Sequence, residues 1–290
     1  MKAHKVFLAT MAFLMLAAPA FGSPFATELV SSIGLPGTGL YNDPYAVLGA
    51  PSTNFKNTWG SATTARVKLV EAAFNVGLNG EKLITTLNAG QEIVVKFDHQ
   101  VANDPNNPYG IDFLVFGNAF YAGKGSVSDA TNMNTYTLTG GIFSEDVLVS
   151  VSQDGATWYD YSNGPSGDTA YPTNAYLWDA ANASWTDTLS NFTLPVDPSV
   201  TVSSGDTAAE IIAAYAGSGG GTGFDLDDLY ALHGVQLPWI QYIKVAGISG
   251  YSGGEIDAFA DVAAVPIPGA VWLLGSGLLG LVGLKRKILS

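Results

Sequence analysis

The sequence predicts a mainly β protein, a β-sandwich or jelly roll carrying one or two short helices. Two observations predict it. Apolar residues recur with a period of two or in short continuous runs, and Gly, Asn, Asp and Pro gather between those runs as turn formers. Only one stretch carries clear start and stop signals for a helix.

The strands can be taken in order. In Gln91 to Val101, residues Ile93, Val95, Phe97 and Val101 share one face while Glu92, Lys96, Asp98 and Gln100 share the other, with His99 on the apolar side. That is a half-buried strand. Ile111 to Tyr121 is apolar on both faces through Phe113, Leu114, Val115 and Phe116, as a strand in the middle of a doubly covered sheet must be. Val147, Val149 and Val151 alternate with Leu148, Ser150 and Ser152, and Asp154-Gly155 offers a type I′ turn into Thr157 to Tyr161. Trp239 to Ser249 and Ile256 to Val265 supply two late strands. Short strands with turns between them favour a sandwich or jelly roll.

The helix starts at Thr207, which forms a capping box with Glu210; Ile211, Ile212 and Tyr215 give its apolar stripe and Gly217 stops it. A second, shorter helix through Leu232 has Asp225 as its cap, with Asp227 and Asp228 in its first turn. Gly217 to Gly223 reads as a flexible connector, since no Lys-Ser or Lys-Thr follows to make a phosphate loop. Residues 162 to 206 read as long loops with one strand near Phe192 to Val196.

Both ends of the chain carry targeting patterns. Lys2 and Lys5 precede the apolar stretch Val6 to Ala18, and small residues at Ala18, Ala20 and Gly22 complete a secretory signal peptide over residues 1–22. At the other end, Ile267 to Leu284 is an almost wholly apolar run of 18 residues, followed by Lys285, Arg286 and Lys287. As a helix it reaches roughly 27 Å, enough to span a bilayer. The basic cluster would stay inside, with the body of residues 23–264 outside. The mature chain is therefore expected to be exported and held, at least transiently, in the membrane by its tail.

That tail resembles the PEP-CTERM sorting signal of Gram-negative bacteria in its VPLPA-like variant: Val265, Pro266, Ile267, Pro268 and Gly269 occupy the motif, and the span and basic cluster follow over residues 265–290. Ile and Gly stand where Leu and Ala are usual, and the Glu of the namesake motif is absent. The resemblance implies recognition by an exosortase-type sorting enzyme and delivery to the cell surface or extracellular matrix. The body is similar to the extracellular β-sandwich often joined to such tails, through YAVLGAP (Tyr45 to Pro51), GIDFLVFGNAF (Gly110 to Phe120), VLVSVSQDGATW (Val147 to Trp158), GFDLDDL (Gly223 to Leu229) and GEIDAFADVAAV (Gly254 to Val265).

Charge and composition narrow the functions open to the body. All 25 acidic residues and only seven of the 12 cations fall in residues 23–265, leaving 18 net negative charges. Nucleic acid and anionic lipid are poor partners for such a surface. Cysteine is absent, which removes disulfides, thiolate nucleophiles and Cys-based zinc sites.

Three constellations merit attention. Asp225, Asp227 and Asp228, combined with Asp112 or Asp257, could hold Ca²⁺, a hard cation that takes oxygen ligands; the alternative is helix capping. Trp158, Tyr176, Trp178 and Trp185, amid other rings in the loop-rich middle, could form a carbohydrate platform or anchor the loops. The sequence Gly250-Tyr251-Ser252-Gly253-Gly254 matches a nucleophile motif in form, but a strand rather than a helix is expected after it. No catalytic set stands out. The expected function is that of a non-enzymatic surface or matrix protein, structural or carbohydrate-binding, with extracellular polysaccharide as a candidate partner; the alternative is a secreted polysaccharide-active hydrolase using Asp or Glu.

Overall fold

A computed structural model describes residues 22–37, 39–57, 63–74, 76–250 and 253–262. The signal peptide as far as residue 21, the sorting motif Val265 to Gly269, the apolar span and Lys285 to Lys287 lie outside the described residues. Among the described residues no helix is long and apolar enough to cross a membrane.

The chain is mainly β. In order it forms β1 (Glu28–Ile33), β2 (Asn54–Asn57), β3 (Thr63–Arg66), β4 (Thr85–Leu87), β5 (Glu92–Ala102), β6 (Phe113–Gly117), β7 (Phe120–Gly123), β8 (Leu138–Phe143) and β9 (Val147–Ser152). Then follow β10 (Tyr159–Asp160), β11 (Tyr176–Asp179), β12 (Ser184–Leu189), α1 (Ala208–Ala214), β13 (Thr222–Phe224), α2 (Asp228–His233), β14 (Trp239–Gly247) and β15 (Gly254–Asp261). One antiparallel sheet has the order β1-β5-β14-β9-β10 and a second the order β13-β6-β15-β4. Three two-stranded ribbons, β2–β3, β7–β8 and β11–β12, complete the architecture.

The period of two in the sequence explains the largest core. Val95, Ile243 and Val151 lie side by side across β5, β14 and β9, and Ile93, Val245 and Val149 form the next row. All six are buried in one cluster with Phe113 and Val115 of β6 and Phe259 of β15, so the two sheets share it. The opposite face of β6, Leu114 and Phe116, enters a second cluster with Ala258 and Ala260. This is why β6 is apolar on both faces. A third cluster gathers Leu69, Tyr121, Met133 and Tyr136 around Ile211, Ile212 and Tyr215 of the α1 region.

Several expectations hold and several are corrected. The helix expected after Thr207 forms, with both halves of its capping box. Asp154-Gly155 does not make a type I′ turn: Tyr159 pairs with Val151 across a wider loop, and of the two central residues only Gly155 has positive φ. The loop is held instead by the Asp154 carboxylate, which accepts from the N–H of Ala156 and Thr157, each at 2.8 Å.

The Gly-rich stretch is a buried strap. Ser218 through Gly221 are buried, Gly219 N–H donates to Asn191 C=O and Gly221 N–H donates to Tyr171 C=O, after which β13 begins. A Cβ on Gly219 would lie 2.3 Å from the Phe192 ring. Its glycines serve close packing, which composition alone could not distinguish from a linker. Residues 162–206 contain two strands, β11 and β12, and none at Phe192 to Val196, where Phe192 turns inward beneath Phe116. The second helix starts later than its expected cap, at Asp228.

Candidate functional site

A cleft of about 480 Å³ lies where the 3₁₀ turn Pro44–Val47 and the segment through Asn54 face residues 78–83. Pro44 sets the first dihedral of that turn and the Asp43 carboxylate accepts from Tyr45 N–H at 3.0 Å, so the turn is capped from outside. Val47 is thereby driven into the core while Tyr45, 65% exposed, stands at the cleft rim. The Thr85 hydroxyl donates to Asp43 C=O and ties the turn to β4.

The cleft reaches down to Asp257. On β15, Ile256 pairs with Gly117 and Ala258 with Phe116, so Asp257 is the extra residue of a β-bulge. A bulge re-aims a side chain, and here it turns a carboxylate out of the alternating pattern. Asp257 is 2% exposed. Its two oxygens accept from the backbone N–H and the hydroxyl of Ser52, each at 2.8 Å. Burial pushes its carboxyl up to about 7, against the opposing effect of the two Ser52 hydrogen bonds. A carboxyl that titrates near neutrality beneath a polar cleft can donate a hydrogen bond or a proton as readily as accept one.

The other expected Ca²⁺ ligands sit elsewhere. Asp112, just before β6, is buried and accepts from Asp104 N–H, Asn107 Nδ2 and Leu226 N–H at 2.9 to 3.1 Å. Burial raises its carboxyl to about 6 even so. Its backbone C=O accepts from Val262 N–H, at the far end of β15 from the Asp257 bulge. The two carboxylates thus serve different regions.

Asp225 accepts from Asp227 N–H at 2.7 Å and so organises the turn entering α2, while the Asp227 carboxylate accepts from Asn103 Nδ2. Asp228 occupies the first turn of the helix. Asp225 therefore holds the turn ahead of α2 rather than capping the helix: the N-cap is Asp227, whose side chain makes no capping hydrogen bond.

Among the described residues, one group of carboxylates has the spacing of a cation site, and sequence reasoning missed it. Glu145, Asp168 and Glu255 each bring an oxygen within 4.8 Å of the others. Asp168, held at φ +56°, accepts from Ala119 N–H and Glu255 N–H, and Gly117 leaves room for it, since a Cβ there would lie 2.1 Å from its oxygen. Burial first, then Glu145, pushes Glu255 up to about 7; burial raises Glu145 and holds Asp168 well above the ordinary range. Either shared protons or a hard cation relieves this repulsion. The three lie far apart in sequence with no common motif, so nothing in the chain order signalled them.

The expected aromatic platform divides. Trp178 and Trp185 face each other across β11 and β12 in an edge-to-face pair with centroids 5.1 Å apart, and both pack on the third core cluster. Trp178 Nε1 donates to Asn134 Oδ1 at 2.8 Å. Tyr176, on the same ribbon, receives a hydrogen bond from Asn54 Nδ2 and lies under the Arg66 guanidinium. Trp158 is separate, covered by Lys244 Nζ at 4.8 Å on the β10 side of the larger sheet. Trp178 and Trp185 on the third cluster and Tyr176 on the second are placed as the anchoring alternative describes, while Trp158 joins none of the three clusters.

His99 binds two carboxylates, Asp98 at 2.8 Å and Asp261 at 2.9 Å, rather than packing as a core ring. Of the Ser252 motif, Tyr251 and Ser252 lie outside the described residues, and Gly254 opens a strand. Against known proteins, no family model matches the chain, and no curated protein matches it either.

Proposed function

We propose that this is an exported, non-enzymatic protein of a Gram-negative cell surface or extracellular matrix, sorted through its C-terminal segment, whose two sheets form a β-sandwich that binds carbohydrate. The cleft over Asp257 is the observation that carries the binding reading. Tyr45, Ser52, Asn54, Asn79 and Lys82 all line the cleft, which combines the apolar face and the hydrogen-bonding groups that a sugar needs. The strongly acidic body favours a neutral glycan over an anionic one.

Binding of the full chain to an array of neutral glycans tests this. One glycan class is retained, and Tyr45→Ala weakens it at least tenfold with an unchanged circular dichroism spectrum. Absence of retention on every glycan overturns the binding reading. For the sorting, the intact mass and cell fraction of the mature chain differ between cells with and without the sorting enzyme.

A second reading draws on the raised Asp257 carboxyl: hydrolysis of the polysaccharide with that group as proton donor. Reducing ends released by the wild type and not by Asp257→Asn would put hydrolysis in place of simple binding.

A further inference from the structure

A second cavity, about 300 Å³, lies apart from the Asp257 cleft, between the loop after β10, the loop before α1 and the turn into α2. Its walls are apolar: Ile111, Tyr171, Pro195 and Val196. Small residues open it, since a Cβ on Gly223 would come within 3.0 Å of the Ile111 side chain. Reciprocal hydrogen bonds between Ala170 and the Thr222 hydroxyl, 3.0 and 3.3 Å, hold the loop against β13. Val196 is 2% exposed, so this wall is a built part of the fold.

One side of the cavity is acidic. Asp225 and Asp228 both line it, and among the described residues neither takes part in an ion pair. No cation compensates the field among the described residues: burial raises both carboxyls, the Asp228 and Asp227 charges adding to Asp225 against the hydrogen bond it takes from Asp227 N–H, and the Asp227 charge adding to Asp228. The buried Tyr161 phenol, whose hydroxyl donates to Asp225 C=O, is pushed up by burial and then by Asp228, Asp112 and Asp225. A cation is what this side of the cavity lacks.

The walls decide which kind. A hard metal ion needs six to eight oxygens, whereas this cavity offers two carboxylates beside hydrocarbon. An ammonium on an apolar body satisfies both halves at once, the charge between the carboxylates and the body against Ile111, Tyr171 and Val196.

The geometry points to a binding site for a small organic amine in this cavity, with Asp225 and Asp228 as its counter-charges. This site is independent of the carbohydrate reading, which concerns a cleft with no lining residue in common.

Titration calorimetry and thermal melting of the full chain test it, with phenethylamine as the probe. 3-Phenylpropionate, with a similar body and a negative head, and 2-phenylethanol, with a neutral one, are the controls. Phenethylamine binds and raises the melting midpoint in proportion to the logarithm of its concentration above the dissociation constant, while the controls do not. Asp228→Asn, at an exposed position that leaves the fold intact, weakens the amine at least tenfold. Asp225→Asn does the same while keeping an acceptor for Asp227 N–H. Tyr45→Ala leaves amine binding unchanged, which separates this site from the cleft. Equal responses to amine and alcohol, amine binding undiminished in both Asn variants, or no binding at millimolar amine overturns the assignment.

Discussion

The backbone N–H and the hydroxyl of Ser52 close on the two oxygens of Asp257 at 2.8 Å each, across a bulge in the second sheet. A buried carboxyl and a loop 205 positions away in sequence are thereby locked together. Replacing Asp257 by Ala leaves the Ser52 N–H without its acceptor and costs about 1–3 kcal/mol. Asp257→Asn keeps the volume and one acceptor, so its cost is smaller. Urea unfolding of the two variants at neutral pH ranks them in that order.

Stability should decline as pH rises from about 5 to 8. Asp257 and Glu255 are raised to about 7 and Asp112 to about 6, in each case by burial first, from ordinary values of 3.8, 4.5 and 3.8. His99 is raised as well: burial opposes its charge, but hydrogen bonds to Asp98 and Asp261 outweigh that effect. In all four the folded state holds protons more tightly than the unfolded chain. Their contribution is complete below the unfolded values and is lost as pH climbs through the folded ones. Melting midpoints measured across this interval fall; a midpoint that climbs towards pH 8 would contradict the assignment.

Glu255→Gln should act in one half of that range. At pH 8 it removes a negative charge from beside Glu145 and Asp168, so the midpoint rises relative to the wild type. At pH 4, below its ordinary value of 4.5 as well, Glu255 carries its proton in both states and the two proteins melt together. Paired melting curves at the two pH values decide it.

The glycine strap gives a steric prediction. At Gly220, with φ +90°, a Cβ would lie 2.5 Å from the Pro172 carbonyl oxygen, so Gly220→Ala costs about 2 kcal/mol or more. Gly217, with φ +89° and open space around it, pays only the backbone strain, about 1 kcal/mol for the same change. Chemical denaturation separates them, whereas a flexible connector would tolerate both.

Thr207→Ala removes one half of the capping box and should cost about 1 kcal/mol. Circular dichroism and denaturation of the variant check it.

Local rules made much of the fold legible. The period of two in β5, the doubly apolar β6 and the Thr207 capping box each express an interaction between near neighbours or a uniform environment. The sites were less legible because they depend on distant partners. Asp257 reads from the sequence as a candidate Ca²⁺ ligand, and its place on a bulge against β6 beneath Ser52 depends on distant pairing; Glu145, Asp168 and Glu255 meet only through the packing of three separate segments. β11 and β12 escaped notice because their anchoring rings are interleaved with Asp, Thr and Asn, which mimic a loop.

The strand buried on both faces also sets the order of folding. Val115 of β6 pairs with Thr222 on one side and Phe259 on the other, so neither neighbour exists until the chain is nearly complete. Loop closure on that scale must precede the contacts that reward it, and folding governed by such distant pairings is slow. A chain emerging end first therefore keeps its central sheet open until its last strand arrives. Until then β6 presents two unpaired edges to any other strand within reach.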